Sequence, residues 1–271
     1  MRRRAILAAL LLPSAAWAED AEEALARGPT RPHRLAALGP GSEGVVAEVP
    51  VVEGERVRAG AVLVRLRDDV QAARVGLARA AAEAEGELRQ AMIQREEAQA
   101  VLERTRQAAG RGAANEWELR QARARFDVAR AAAEAAEERR RVEQRRLELE
   151  QAALEQFLLR APFDGVVTRV ETVAGATLTR TDRPITVADL SQLEAVLFLP
   201  ARAWPLLRPG GDYTLTLAAP FARPVAARLR HADPVMDAAS GRFRAVFVIP
   251  NEDGALPAGV EAELDLAALA P

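Results

Sequence analysis

The side chains that could do chemistry are few and scattered. There are two histidines, His33 and His231, three methionines, Met1, Met92 and Met236, and no cysteine. A metal centre needs converging N, O or S ligands, for example two histidines four apart on one helix face. No such spacing occurs, and the methionines do not cluster as a soft-metal site would require. His231 beside Asp233 reads as a surface pair. Ser14, Ser42, Ser191 and Ser240 sit in no nucleophile motif, with almost no histidine to activate them. Gly210-Gly211 lacks the flanking pattern and the lysine of a phosphate loop. Carboxylate runs such as Glu137-Glu138 fit solvated helix faces. These absences point away from an enzyme, and they imply no cofactor and no metal. Energy for any work must come from a partner protein.

Composition narrows the class further. Lys plus Arg total 37 against 39 Asp plus Glu, a net charge of −2, so no nucleic-acid surface and no acidic tail is indicated. Every basic residue is Arg. The lack of Cys excludes disulfides, thiolate ligands and a lipid-modified N-terminal Cys. At the N-terminus, Arg2-Arg3-Arg4, the short apolar run Ala5 to Leu12 and the A-x-A site Ala16-Trp17-Ala18 form a secretory signal peptide over residues 1–18. That run is too short to cross a bilayer, which takes about 20 residues. The expected mature chain is exported to the periplasm, with no lipid anchor and no transmembrane helix.

The elements that position these residues start from a repeat. Gly44-Val45-Val46-Ala47-Glu48-Val49 with Val52, Gly54 and Val57 aligns without a gap on Gly165-Val166-Val167-Thr168-Arg169-Val170 with Val173, Gly175 and Leu178. Two copies of β-branched residues punctuated by glycine suggest two halves of one small β-domain, 44–68 and 158–189. Residues 19–43, rich in Pro, Gly and Ala, read as a linker or lead-in strand.

Between the halves the period becomes helical. Leu77, Ala81, Ala84, Leu88, Ala91, Ala98, Leu102, Thr105 and Ala109 follow alternating steps of four and three, with Arg95 interrupting. One helix to about Gln107 is expected, roughly 58 Å long at 1.5 Å per residue. Gly110-Arg111-Gly112 breaks it, and Asn115 with Glu118 restarts a helix as a capping box. The second seam is Leu119, Ala122, Phe126, Ala129, Ala133, Ala136, Leu147 and Leu154, ending near Phe157. The matched arms predict an antiparallel hairpin over 69–157 with its tip at about 108–115. From 190 to 271, short strands, a helical turn at Ala201 to Leu207 and turn signals at Asp237–Gly241 and Asn251–Gly254 predict a small antiparallel barrel or sandwich.

Four segments carry a resemblance. They are Gly44-Val45-Val46 with Glu53 to Gly60 and Leu63, then Leu159-Arg160-Ala161-Pro162-Phe163-Asp164-Gly165-Val166-Val167, then Leu207-Arg208-Pro209-Gly210, then Asn251 to Gly259. In this order around a hairpin, the chain resembles the periplasmic adaptor subunits, or membrane fusion proteins, of tripartite efflux and type I secretion systems. The resemblance implies an α+β fold: a lipoyl-like β-domain from two half-motifs, an inserted antiparallel coiled-coil hairpin and a small antiparallel β-barrel. It implies three partners: an inner-membrane transporter, an outer-membrane channel protein and further copies of the chain in a ring-forming homo-oligomer such as a hexamer. The role it implies is bridging the two membrane proteins in export of small molecules. A lipoyl-like domain could instead carry lipoate or biotin, but that chemistry needs a lysine at the turn between the halves, and this chain has none.

The implied partner-binding residues lie at the tip: Arg104, Ala108, Arg111, Asn115, Glu116 and Trp117. Many family members carry an Arg…Leu…Ser pattern there. Arg104 matches, Ala108 replaces Leu and Asn115 replaces Ser. Trp117 either packs on Ala108 or Ala109 or stands free as an aromatic anchor. The chain ends soon after the barrel, so the fourth, membrane-proximal domain of many relatives is expected to be absent or minimal. The alternative reading is a periplasmic coiled-coil scaffold or chaperone not tied to a transporter, for which the two flanking β-halves would be superfluous.

Overall fold

The computed structural model describes residues 25–269; the expected signal peptide lies outside them. Twelve strands and three α-helices follow in this order: β1 (Leu25–Leu38), β2 (Gly44–Glu48), β3 (Arg56–Val57), β4 (Val62–Leu66), α1 (Asp69–Glu83), α2 (Gly86–Gly110), α3 (Glu116–Glu155), β5 (Leu158–Arg160), β6 (Gly165–Val170), β7 (Thr177–Leu178), β8 (Ile185–Pro200), β9 (Asp212–Leu217), β10 (Pro224–Ala232), β11 (Arg242–Pro250) and β12 (Glu261–Asp265). A 3-10 turn, Ala201–Leu206, joins β8 to β9.

The two repeated halves pair with each other reciprocally. Gly44 and Val45 of β2 lie opposite Leu178 and Thr177 of β7, while Gly165 and Val166 of β6 lie opposite Val57 and Arg56 of β3. Hydrogen bonds repeat in the same way: Val46 N–H to Ala176 O at 2.8 Å matches Val167 N–H to Glu55 O at 2.9 Å. Val46 faces Leu66 across β2–β4 as Val167 faces Val187 across β6–β8, and both ladders carry a bulge one residue later. Two copies of one sequence thus fold into a β-unit with an approximate two-fold axis. Its core is Val46, Val57, Leu63, Leu66, Val167, Leu178, Ile185 and Val187, all buried. Gly54 and Gly175, at equivalent turns, have φ of +86° and +90°, the left-handed region that a Cβ disfavours.

Residues 19–43 are open to two readings in the sequence, a linker or a lead-in strand, and their described part takes the strand. Leu25–Leu38 is a 14-residue strand. Its end, Ala36 to Leu38, pairs with Ile185 to Val187, as β5 pairs with β4 in the other half, so half 1 begins before Gly44. The expected boundary at 189/190 likewise falls inside β8, a 16-residue strand. Pro29 and Pro32 disguise β1 in sequence. Neither has an N–H to donate, and the ladder slips by a bulge between Pro32 and Arg34.

β1 and β8 therefore run through both β-units. Beyond the joint they close a six-stranded antiparallel barrel in the order β1-β12-β9-β10-β11-β8, with β8 returning to β1. Leu197, Leu199, Leu215, Leu217, Leu229, Phe243 and Phe247 fill it. Trp204 and Tyr213 meet Phe243 and Phe247 edge-on, with ring centroids 5.1 and 5.5 Å apart.

At the joint, Asp189 is buried and its Oδ2 accepts from Arg34 Nη2 at 2.7 Å and Nε at 3.0 Å. Its Oδ1 accepts from Ser191 Oγ at 2.6 Å and Ser191 N–H at 3.1 Å. Burial pushes this carboxyl up, but the hydrogen bonds from Ser191 and Arg34 outweigh it and hold the group below its ordinary value. The Arg34 guanidinium also lies 4.4 Å from the Phe163 ring centre, so one side chain ties the barrel side to the two-half unit.

The hairpin leaves from between β4 and β5. Its first arm is not one helix, as the heptads suggested, but two. Ala84 is extended, with φ −68° and ψ 107°, and α2 restarts at Gly86. The seam differs accordingly. Leu77, Ala81 and Ala84 are exposed, and α1 buries Gln71, Val75, Ala78 and Ala82 against α3. Extending the α2 seam back through the break lands one residue out of phase, and the break absorbs that slip. Along α3 the expected seam positions Ala122, Ala133 and Ala136 are buried, and Leu119, Phe126, Ala129, Leu147 and Leu154 are half-buried. Gln71 crosses the seam near its base, donating to the side chain and carbonyl of Glu150 at 2.8 and 3.0 Å.

Candidate docking site at the hairpin tip

The tip is built by two backbone motifs. Gly112 sits at φ +74°, its N–H reaches Ala109 O at 3.0 Å, and Ala113 N–H reaches Ala108 O at 2.8 Å. This pair of bonds is a Schellman end, which satisfies two of the free carbonyls of α2. Two residues later Asn115 starts α3. Its Oδ1 accepts from Glu118 N–H at 2.9 Å, and Glu118 Oε2 accepts from Asn115 N–H at 3.0 Å, the reciprocal capping box expected from the sequence. Closed backbone ends on both arms leave the side chains at the tip free to present outward.

The six tip residues divide into two groups. Arg104 and Ala108 border an open depression between the arms, shared with Val101, Thr105, Ala114, Glu118, Gln121, Ala122 and Arg125. Arg111, Asn115, Glu116 and Trp117 are not among its lining residues. Arg104 bonds the carbonyl of Ala100 at 3.2 Å and Arg111 that of Gln107 at 3.3 Å, both within their own helix. Asn115 is occupied as the cap. Trp117 is 62% exposed, so of the two readings for this ring, the free-standing one matches the geometry. Glu118, Gln121 and Arg125 belong to the same depression and were not singled out as partner-binding positions. No local pattern pairs them with Arg104; the crossing of α2 and α3 does.

Among the described residues, no group of three or more His, Cys, Asp or Glu side chains could hold a metal ion. His33 Nδ1 lies 3.1 Å from Glu194 Oε1, and Arg230 pairs with the same carboxylate. No described helix is long and apolar enough to cross a membrane.

No family model matches the chain. Over 235 residues it is 28% identical to nodulation protein NolF of Rhizobium meliloti (strain 1021), which covers 86% of this chain and 60% of that protein. The chain thus spans less than two thirds of this relative. Among solved structures, MacA from Actinobacillus actinomycetemcomitans superposes with a TM-score of 0.71 at 19% identity, over 89% of this chain and 77% of that one. The membrane fusion protein Spr0693 from Streptococcus pneumoniae R6 gives 0.54 at 17% identity, over 88% and 96%. The chain has the membrane fusion protein fold. That fold comprises the three parts already described, the two-half β-unit, the inserted hairpin and the barrel. At these identities the likeness speaks to architecture, and the membrane fusion protein fold places the tip at the far end of the hairpin from both β-units.

Proposed function

We propose that this chain is a periplasmic adaptor that bridges an inner-membrane transporter and an outer-membrane channel in the export of small molecules, working as one of several copies in a ring. The observation that carries the reading is the reciprocal pairing of β2 with β7 and β3 with β6, with the hairpin inserted at the junction. A free-standing coiled-coil scaffold has no need of such a base. The role is mechanical: the hairpin carries a capped tip with an exposed Trp117 away from the β-units, and the barrel stands at the other end. An aromatic ring free of its own fold is the type of residue that anchors protein interfaces.

The test is site-specific photocrosslinking from position 111 in intact cells. Capture of an outer-membrane channel protein at the tip, lost on Trp117→Ala, is the expected result. Capture of cell-wall proteins alone, or of nothing, overturns the bridging role and favours the scaffold reading.

A further inference from the structure

The end of the barrel remote from the two-half unit shows large apolar side chains to water. The 3-10 turn Ala201–Leu206 after β8 and the 233–241 turn between β10 and β11 meet there. Ala201 N–H reaches Gly241 O at 3.0 Å, and Arg242 lies opposite Pro200, so the two turns share one rim. Asp233 N–H bonds Arg244 O and Asp237 N–H bonds Arg242 O, each at 2.8 Å. Residues 234–236 therefore oppose the single residue Phe243 and bulge out of the ladder. Val235 and Met236 stand on this bulge, Trp204 and Leu206 on the 3-10 turn, and Phe198 faces outward on β8 just inside the rim. All five are 36–74% exposed. An apolar patch that its own fold leaves uncovered marks a contact with something else.

Charge at the rim is one-sided. Arg208, Arg242 and Arg244 are exposed, and none has an ion pair or a side-chain hydrogen bond among the described residues. The nearby acids are occupied. Asp233 accepts from Val235 N–H at 3.3 Å, and Asp237 accepts from Ala239 N–H at 3.0 Å and from Ser240 N–H at 2.7 Å. Asp212 pairs with Arg228 at 2.9 Å, and Asp265 accepts from Ala267 N–H at 2.9 Å. Cationic groups without partners thus surround apolar tips.

We infer that this rim seats on a bilayer surface containing anionic phospholipid. Val235 and Met236 enter the headgroup layer, and Arg208, Arg242 and Arg244 meet lipid phosphates around them. Three features favour lipid over a protein partner. Aliphatic side chains on a bulging turn insert between headgroups, whereas a protein anchor fills a closed, desolvated pocket. The Trp204 indole packs edge-on against Phe243 on one side and is wet on the other, which suits the membrane–water boundary. A planar guanidinium takes phosphate oxygens two at a time, so unpaired arginines in one rim match a phosphate layer. The inference goes beyond the adaptor reading and does not depend on it.

The test floats the chain, purified after export, with vesicles of phosphatidylethanolamine and phosphatidylglycerol, beside vesicles of phosphatidylcholine alone. The chain has no native cysteine, so Met236→Cys takes an environment-sensitive dye at one place. The expected result is flotation with the anionic vesicles and a blue shift of the dye at 236. The same dye on Arg111→Cys at the hairpin tip should not shift. Val235→Glu combined with Met236→Glu should abolish flotation and leave the circular dichroism native, since both positions are exposed. Arg242→Gln and Arg244→Gln should each weaken binding to the anionic vesicles about five-fold. No flotation of the wild type, or equal flotation of the glutamate variant, overturns the inference. Binding only to native membranes, lost when their proteins are digested, also overturns it in favour of a protein partner. Either failure leaves the adaptor reading to the crosslinking at position 111, which reads the opposite end of the molecule.

Discussion

Asp189→Ala removes the acceptor that joins the barrel to the two-half β-unit. The wild-type carboxylate is 4% exposed and accepts four hydrogen bonds, two from Arg34 and two from Ser191. Bonds to a charged group are worth about 1.5–3 kcal/mol each, but simple addition overshoots because the mutant no longer buries a carboxylate. Breaking a fully buried ion pair costs about 3–5 kcal/mol. The Arg34 side chain is 51% exposed, so once released it regains water and leaves no stranded charge. The expected loss is therefore about 2–3 kcal/mol, set mainly by Ser191 and by the lost anchor for Arg34 over Phe163. With an m-value of about 1–3 kcal/mol/M for urea, the midpoint should fall by about 0.7–3 M. Two probes report on different parts: Trp204 fluorescence on the barrel, read in a Trp117→Phe background, and far-ultraviolet circular dichroism on the hairpin. The wild-type transitions should coincide, and in the mutant they should separate as the two β-units uncouple. Asp189→Asn keeps the volume and removes the charge, so it should reproduce most of the loss. A change below about 0.5 kcal/mol with coincident transitions would refute the claim that this carboxylate holds the joint.

Further outcomes follow from the same geometry. Asp189 titrates below its ordinary 3.8 in the folded chain, so its contribution is complete above that value and is lost as pH falls through the depressed one. As pH falls below 3.8 the wild type should lose more stability than Asp189→Asn, as acid titration of the denaturation midpoint would measure. Gly54→Ala and Gly175→Ala should each cost about 1–2 kcal/mol from positive φ. Neither site has an atom within 4 Å of the added Cβ, so the two costs should nearly match, and unequal values in thermal melts would deny the equivalence of the two turns. Asn115→Ala should cost about 1 kcal/mol, seen as faster amide exchange confined to the first turn of α3.

Legibility varied with how much contrast the residues carry. The capping box of α3 could be read directly, because Asn115 and Glu118 act within four residues of each other. The barrel strands were also legible, since Leu215, Leu229 and Phe243 alternate with polar neighbours and Ala245 to Ile249 is a short apolar run. β1 was not. Leu25–Leu38 contains Pro29, Pro32 and three arginines, which locally favour an irregular segment. It is a strand because β12 and β8 each offer it a free ladder edge. The tip was legible as backbone, but the depression around Arg104 joins residues from two helices, and only their crossing brings Glu118 and Arg125 beside it.

The repeat and the helical period were written in the sequence alone: matching glycines and valines recur at one offset, and Ala, Glu and Arg favour helix wherever they stand. Which side of α1 faces α3 was not. Alanine lines both candidate faces of that helix, so burial of one or the other gains nearly the same apolar area. The choice of Gln71, Val75, Ala78 and Ala82 over Leu77, Ala81 and Ala84 is made by tertiary structure. The base of α1 is tied to β4, Gln71 is held by Glu150, and the break at Ala84 frees α2 to take its own phase.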